Sequence, residues 1–156
     1  MAAVSGVYTL VRPATATSTA ITIQQVTAPA GTAVEFVRCW VTQSTIVTSA
    51  QTGINFLRKS TAATVTSATP ALLGVGMQAS KCVGGTGATG VTASAEGTDG
   101  AIYVSEGFNV VNGWMYLPVP EERVYLVNAT AGLKFTAAPS AASYQSGQTW
   151  LEYASA

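Results

Sequence analysis

Apolar and polar residues alternate with a period of two along much of this chain, a pattern that predicts strands rather than helices. The clearest run covers residues 33–43, where Val34, Phe36, Arg38 and Trp40 fall on one side and Glu35, Val37, Cys39 and Val41 on the other. Both sides are largely apolar, so this strand is expected to be central and covered on both faces. Glu35 and Arg38 put one charge on each side, and because an unpaired buried charge is costly, each is expected near a strand end or beside a partner. Ile21, Ile23 and Val26 alternate with Thr22 and Gln24 ahead of the turn Ala28-Pro29-Ala30-Gly31. Residues 53–59 oppose Ile54, Phe56 and Arg58 to Asn55, Leu57 and Lys59. Further strands are expected at 101–104, 108–117, 123–127, 133–137 and 148–153, punctuated by Gly, Pro and Asn. Such spacing points to a sandwich or barrel. No capped stripe of period 3.6 is present, although the neighbourhood of Leu72 could make a single turn, so little or no helix is expected.

Two segments fall outside this pattern. Residues 1–20 carry Val7-Tyr8-Thr9-Leu10-Val11, then Arg12-Pro13 and a run of Ala and Thr. A proline interrupts regular pairing, so this stretch is expected to be an N-terminal arm or edge strand, with residues 21–156 forming a single β-sandwich domain. Residues 60–100 are mostly Thr, Ala, Ser and Gly, broken by Leu72-Leu73, Val75 and Met77. That is longer than an ordinary loop, and it predicts a functional excursion or short strands.

A chain of 156 residues can close one core without disulfide or metal staples. Seven basic residues balance seven acidic ones and there is no histidine. With no net field to draw it to phosphate backbones or anionic lipid, neither a nucleic-acid nor a membrane partner is expected. Sparse charge also leaves little repulsion between molecules, which favours work in an assembly. Residues 1–6 lack a basic and apolar leader and no 18 apolar residues run together, which predicts a soluble chain made in the cytosol. Cys39 and Cys82 stand at no metal-ligand spacing and read as buried free thiols. Asn128-Ala129-Thr130 matches a glycosylation acceptor, an accidental match without a secretory signal.

Candidate chemistry is thin. Without histidine a serine triad has no base, and no Gly-x-Ser-x-Gly elbow occurs. Glu96, Asp99 and Glu106 are the one local acidic group; they could serve as a glycosidase pair or bind calcium with backbone carbonyls, but the D-x-[DN]-x-[DN]-G pattern is absent. Gly85-Thr86-Gly87-Ala88-Thr89-Gly90 fits G-x-G-x-x-G without the strand and helix that a nucleotide site needs, and reads as a loop. Glu121-Glu122, after Pro118-Val119-Pro120, reads as a surface turn. Trp40, Trp114, Trp150 and six tyrosines could stack on sugar rings, but most sit inside strand patterns, which favours core or subunit-interface packing. No catalytic, cofactor-binding or metal-binding residue is expected, and the chain does not read as an enzyme.

The phrases Arg38-Cys39-Trp40-Val41-Thr42-Gln43, Glu96-Gly97-Thr98-Asp99-Gly100, Glu106-Gly107-Phe108-Asn109-Val110-Val111-Asn112-Gly113-Trp114-Met115-Tyr116-Leu117-Pro118 and Pro120-Glu121-Glu122-Arg123 resemble a family of small structural proteins of tailed-bacteriophage virions. The resemblance spans most of the chain after residue 20. In size and character the chain is similar to capsid decoration, or cement, proteins, whose jelly-roll β-sandwich clamps the outside of the shell. The resemblance implies a homo-oligomer, dimer or trimer, on the capsid surface of a virion, made in the host cytoplasm and bound to the major capsid protein. On that reading Val7, Tyr8, Leu10 and Arg12 of the opening segment are expected capsid or subunit contacts. The alternative is a host-glycan or receptor-binding module of a head fibre or tail, using residues 60–100 and exposed aromatics.

Overall fold

Runs of Val, Ile, Thr and aromatic residues pair into antiparallel strands throughout the computed structural model, which describes residues 4–45 and 49–154. In chain order these are β1 (Val4–Thr17), β2 (Thr22–Thr27), β3 (Thr32–Gln43), β4 (Gln51–Thr61), β5 (Thr64–Ser67), β6 (Ala71–Leu72), β7 (Gly90–Ala95), β8 (Thr98–Asn109), β9 (Trp114–Tyr116), β10 (Tyr125–Val127), β11 (Thr130–Phe135) and β12 (Ala142–Ala154). Residues 120–122 form one turn of 3-10 helix carrying Glu121 and Glu122 on the surface.

Two six-stranded sheets result. Sheet A runs β10-β3-β12-β1-β6, with β9 also paired to β3, and sheet B runs β5-β7-β2-β11-β4-β8. Taking β1, β2, β3, β4, β8, β10, β11 and β12 as first to eighth, sheet A reads 1-8-3-6 and sheet B 2-7-4-5. This is the strand order of a double-sheet jelly roll. The expected excursion at 60–100 is inserted between two strands of sheet B. Its β5 and β7 extend that sheet beyond β2, and its β6 adds two residues to the far side of β1. The neighbourhood of Leu72 is therefore a short strand, not a helical turn.

The sheets meet through aromatic contacts. Phe36 of sheet A and Phe56 of sheet B stand edge to face with centroids 5.2 Å apart, and Tyr144 meets Phe135 at 5.1 Å. Trp150, Tyr8, Leu10, Ile23, Ile54 and Leu133 fill the space between them. Cys39 and Cys82 are both free and buried, and burial pushes both thiols well above the ordinary range.

A bulge in β3 overturns the expected division of its faces. Thr149 pairs with Arg38 but Trp150 pairs with Phe36, so Val37 is the extra residue. Past it the side chains change sides: Val34, Phe36, Cys39 and Val41 point into the core, while Glu35, Arg38 and Trp40 face outward. The run 108–117 is likewise broken, because the backbone turns after Asn109. The N–H groups of Asn112 and Gly113 donate to its carbonyl, and Gly113 takes the left-handed conformation (φ 74°) that closes the turn.

The opening segment is not a free arm. Residues 4–17 form a strand of sheet A bonded along its length to β12, with Pro13 inside the register slip between Arg12 and Thr15; residues 1–3 of the expected arm lie outside the described residues. Of the four expected contact residues, Tyr8, Leu10 and Arg12 are buried inside the sandwich and Val7 alone is half exposed. Their contacts are made within the chain. Among the described residues Arg12 has no carboxylate partner: its guanidinium donates to Thr92 Oγ1, Tyr144 O and Thr17 Oγ1, each at 2.8 Å. Arg12→Leu leaves those acceptors without a donor and is expected to lower unfolding free energy by roughly 2–3 kcal/mol, measured as the shift of the urea midpoint at unchanged slope.

Candidate interaction surface

The three carboxylates that stood together in sequence separate in space. Gly97 brings the turn between β7 and β8 so close to the main chain at Thr61 and Ala62 that a Cβ there would collide with both carbonyl oxygens. That approach delivers Glu96 and Asp99 to Lys59, whose side chain is fully buried, at 2.8 and 2.7 Å. Lys134 joins at 2.6 Å from Asp99, and Glu96 also accepts from Thr22 N and Oγ1. Glu106 lies elsewhere and accepts from the Trp114 indole at 2.8 Å. Two acids neutralised by two lysines make a structural clasp rather than an acid-base pair. Among the described residues no three His, Cys, Asp or Glu side chains gather where they could hold a metal ion, and no helix is long and apolar enough to cross a membrane.

Part of the outer side of sheet B is covered by the insertion. Gln25 points away from the main core and is held by the inserted segment, donating to Ala63 O and Ala88 O and accepting from Ala63 N. The glycine-rich stretch is thus an ordered turn, closed by bonds between Gly85, Ala88 and Thr89. Ala63, Val65 and Ala93 form a second small core beneath the insertion.

The outer side of sheet A has no such cover. The β3 bulge turns Arg38 and Trp40 outward, and Gly147 on β12 is their seat. A Cβ at Gly147 would strike the Trp40 indole, so the ring lies against the bare glycine backbone of the neighbouring strand. The Arg38 guanidinium carbon stands 5.9 Å from the ring centroid. Arg38 and Trp40 separate two clefts. One, of about 330 Å³, is bounded by Thr42, Asn112, Trp114 and Met115. The other, of about 470 Å³, is bounded by Val11, Val37, Leu73, Leu117 and Pro118. Leu117 is 69% exposed and Met115 53%, values unusual for large apolar side chains grouped on one face.

At the far end of this face Tyr125 and Tyr153 lie with ring centroids 6.2 Å apart. Glu35 accepts from Tyr153 Oη at 2.5 Å and from Arg123 at 3.0 Å. The tyrosine bond, more than the arginine, holds the Glu35 carboxyl below its usual range against the opposing effect of burial, and the same bond pushes Tyr153 up to about 12. The chemistry of this face is contact chemistry: apolar area, three aromatic rings and one exposed guanidinium. Trp40 and Tyr125 were legible as interface candidates among the aromatics; Gly147 and Leu117 were not, because only the folded register brings them beside Trp40.

No protein-family model, curated protein or solved structure matches this chain.

Two outcomes follow. Gly147→Val should push the Trp40 indole off the sheet, giving a red-shifted component in tryptophan emission, since Trp114 and Trp150 stay buried. Acid should loosen the clasp. Burial alone would raise Glu96 and Asp99, but bonds from Lys59, Lys134 and Thr22 outweigh it and hold both below their ordinary 4.5 and 3.8. Their stabilising effect is therefore complete above those ordinary values and disappears as pH falls through the lower folded ones. Thermal melts of the native chain should keep a nearly constant Tm down to about pH 5 and fall below it; E96Q/D99N should lose much of that dependence, with Glu35 retaining the remainder.

Proposed function

We propose that this protein is a decoration, or cement, protein of a tailed-bacteriophage capsid, lying on the outside of the shell and stabilising it by protein-protein contact. One observation carries the reading: a jelly roll whose sheet B is partly covered by its own insertion while large apolar side chains, Met115, Leu117 and Tyr125, stand exposed along the outer face of sheet A. A face of this kind serves docking rather than catalysis, and near-zero net charge removes the repulsion that would oppose repeated copies on one shell. The partner is the major capsid protein, and the copies associate as a dimer or trimer on the shell. Modest contacts repeated at many sites add up to strong resistance against internal pressure.

A second reading, a host-glycan or receptor-binding module of a head fibre or tail, is favoured by the cleft beside Trp40, where Arg38, Thr42 and Asn112 offer polar groups around an aromatic side chain.

The test is co-sedimentation with tailed-phage capsids stripped of accessory proteins, with solution mass read by light scattering. The native chain is expected to pellet with the shell, and Leu117→Asp combined with Tyr125→Asp to stay in the supernatant while folded. Val75→Asp, on a residue fully exposed in the insertion, should pellet as the native chain does. Failure of the native chain to pellet, together with selective glycan binding lost in Trp40→Ala, would replace the capsid reading with the receptor one.

A further inference from the structure

Strand β8 is the outermost strand of sheet B, paired with β4 on one side only. An exposed edge presents unpaired N–H and C=O groups that another chain can bond. The two halves of β8 differ. Over residues 98–104 the register with β4 slips three times, which twists and blunts the edge. From Val104 to Asn109 every residue pairs in step, Val104 with Phe56 through Asn109 with Gln51. A straight stretch of edge is left open there.

Behind this stretch the two sheets part. A cleft of about 340 Å³ lies between β8 and the segment that follows β9, walled by Val104, Glu106, Tyr116, Leu117 and Glu122. The Trp114 indole donates to Glu106 at 2.8 Å and ties the two sheet edges together. Apolar side chains share these walls with two acids, so the charge is of one sign. None of the ion pairs among the described residues includes Glu106, Glu121 or Glu122, and neighbouring Arg123 is engaged with Glu35.

We infer that the β8 edge and the cleft behind it receive an extended segment of another protein, alternating apolar and basic residues and adding a seventh strand to sheet B. Main-chain bonds to Val104–Asn109 supply the grip, and alternate side chains enter the cleft. There the basic residues of the segment meet Glu106 and Glu122 and lay their methylene stems along Tyr116 and Leu117, while its apolar residues point to the opposite face. A second copy of this chain fits poorly. Antiparallel pairing that keeps the inner faces of two copies on one side and is centred on Glu106 sets the two Glu106 carboxylates directly opposite each other, where like charges destabilise. Nothing in this edge is particular to a virion, so its occupancy and capsid binding succeed or fail separately.

The test adds an excess of two blocked hexapeptides, acetyl-Thr-Val-Lys-Val-Arg-Val-amide and acetyl-Thr-Val-Glu-Val-Asp-Val-amide, to the isotope-labelled full chain and follows backbone amide shifts and hydrogen exchange. The basic peptide is expected to slow exchange along Val104–Asn109 and to bind at least about tenfold more tightly than the acidic one. E106Q/E122Q keeps an acceptor for the Trp114 indole and should erase most of that preference. Equal binding of both peptides, protection elsewhere than β8, or no protection would overturn the assignment. So would β8 protection that grows with protein concentration in the absence of peptide, which would identify a second copy as the occupant.

Discussion

Strand β12 sets the register of sheet A, because it runs between β1 and β3 and turns a mixed row of side chains into the core: Tyr144, Ser146, Gln148, Trp150 and Glu152. Most polar groups of that row are satisfied, although Gln148 Nε2 is a buried donor with no partner among the described residues. Ser146 Oγ donates to Gln24 Oε1 at 2.5 Å, and Gln24 Nε2 donates to Gln148 Oε1 at 3.1 Å and Leu10 O at 3.2 Å, joining the two sheets through side-chain amides. Glu152 accepts from Ser80 Oγ, from the Lys81 backbone and from the Trp150 indole. Arg12 on β1 donates to three neutral oxygens, and burial lowers its affinity for the proton. Two buried groups of opposite formal charge thus sit in the fold without ionic partners among the described residues. A slip of one residue in β1 or β12 would turn them to the wrong side and strand the groups that bond them. An apolar core would tolerate such a slip more easily, so the polar row narrows the pairing to one register.

That register decides which surface is left free. Glu152 holds the loop at Ser80 and Lys81 against sheet A, and Gln25 holds the turns at Ala63 and Ala88 against sheet B. The insertion is therefore anchored at two places by buried polar side chains, and it extends sheet B beyond β2 while covering part of its outer side. Arg38 and Trp40 reach the outer face of sheet A only because the extra residue Val37 rotates β3 after Phe36. The open face is a consequence of one bulge and one glycine, Gly147, opposite it.

The sandwich and its strands were legible in the sequence because alternation with period two survives wherever one face is buried. The bulge at Val37 was not: local alternation continues through residues 33–43, and only pairing with Thr149 and Trp150 reveals the extra residue. The insertion was also unreadable as structure. Its β5 and β7 consist of small residues, Thr, Val, Ser, Gly and Ala, whose order comes from Gln25 and the neighbouring edge rather than from a hydrophobic stripe of their own. Glu96 and Asp99 drew notice as acids beside glycines, but the partners that define them, Lys59 and Lys134, stand 37 and 35 residues away in sequence. The buried roles of Tyr8, Leu10 and Arg12 were hidden for a similar reason: Pro13 suggests interruption, and the strand absorbs it in a register slip.

The open face of sheet A and the open edge of β8 share a wall. Strand β9 is only three residues long, pairs with β3 alone, and is tied to β8 through the Trp114 indole and Glu106. Met115 lines the cleft beside Trp40, and Leu117 lines both the larger cleft of sheet A and the cleft behind β8. Any ligand that shifted β9 at one opening would change the shape of the other, and coupling through a shared element acts in both directions. A strand added to β8 would fix β9 through Glu106 and Trp114 and so prepare the face of sheet A for its own contact. Two contacts of modest strength joined in this way discriminate better than either alone, because a partner lacking the basic segment would make only the apolar contact.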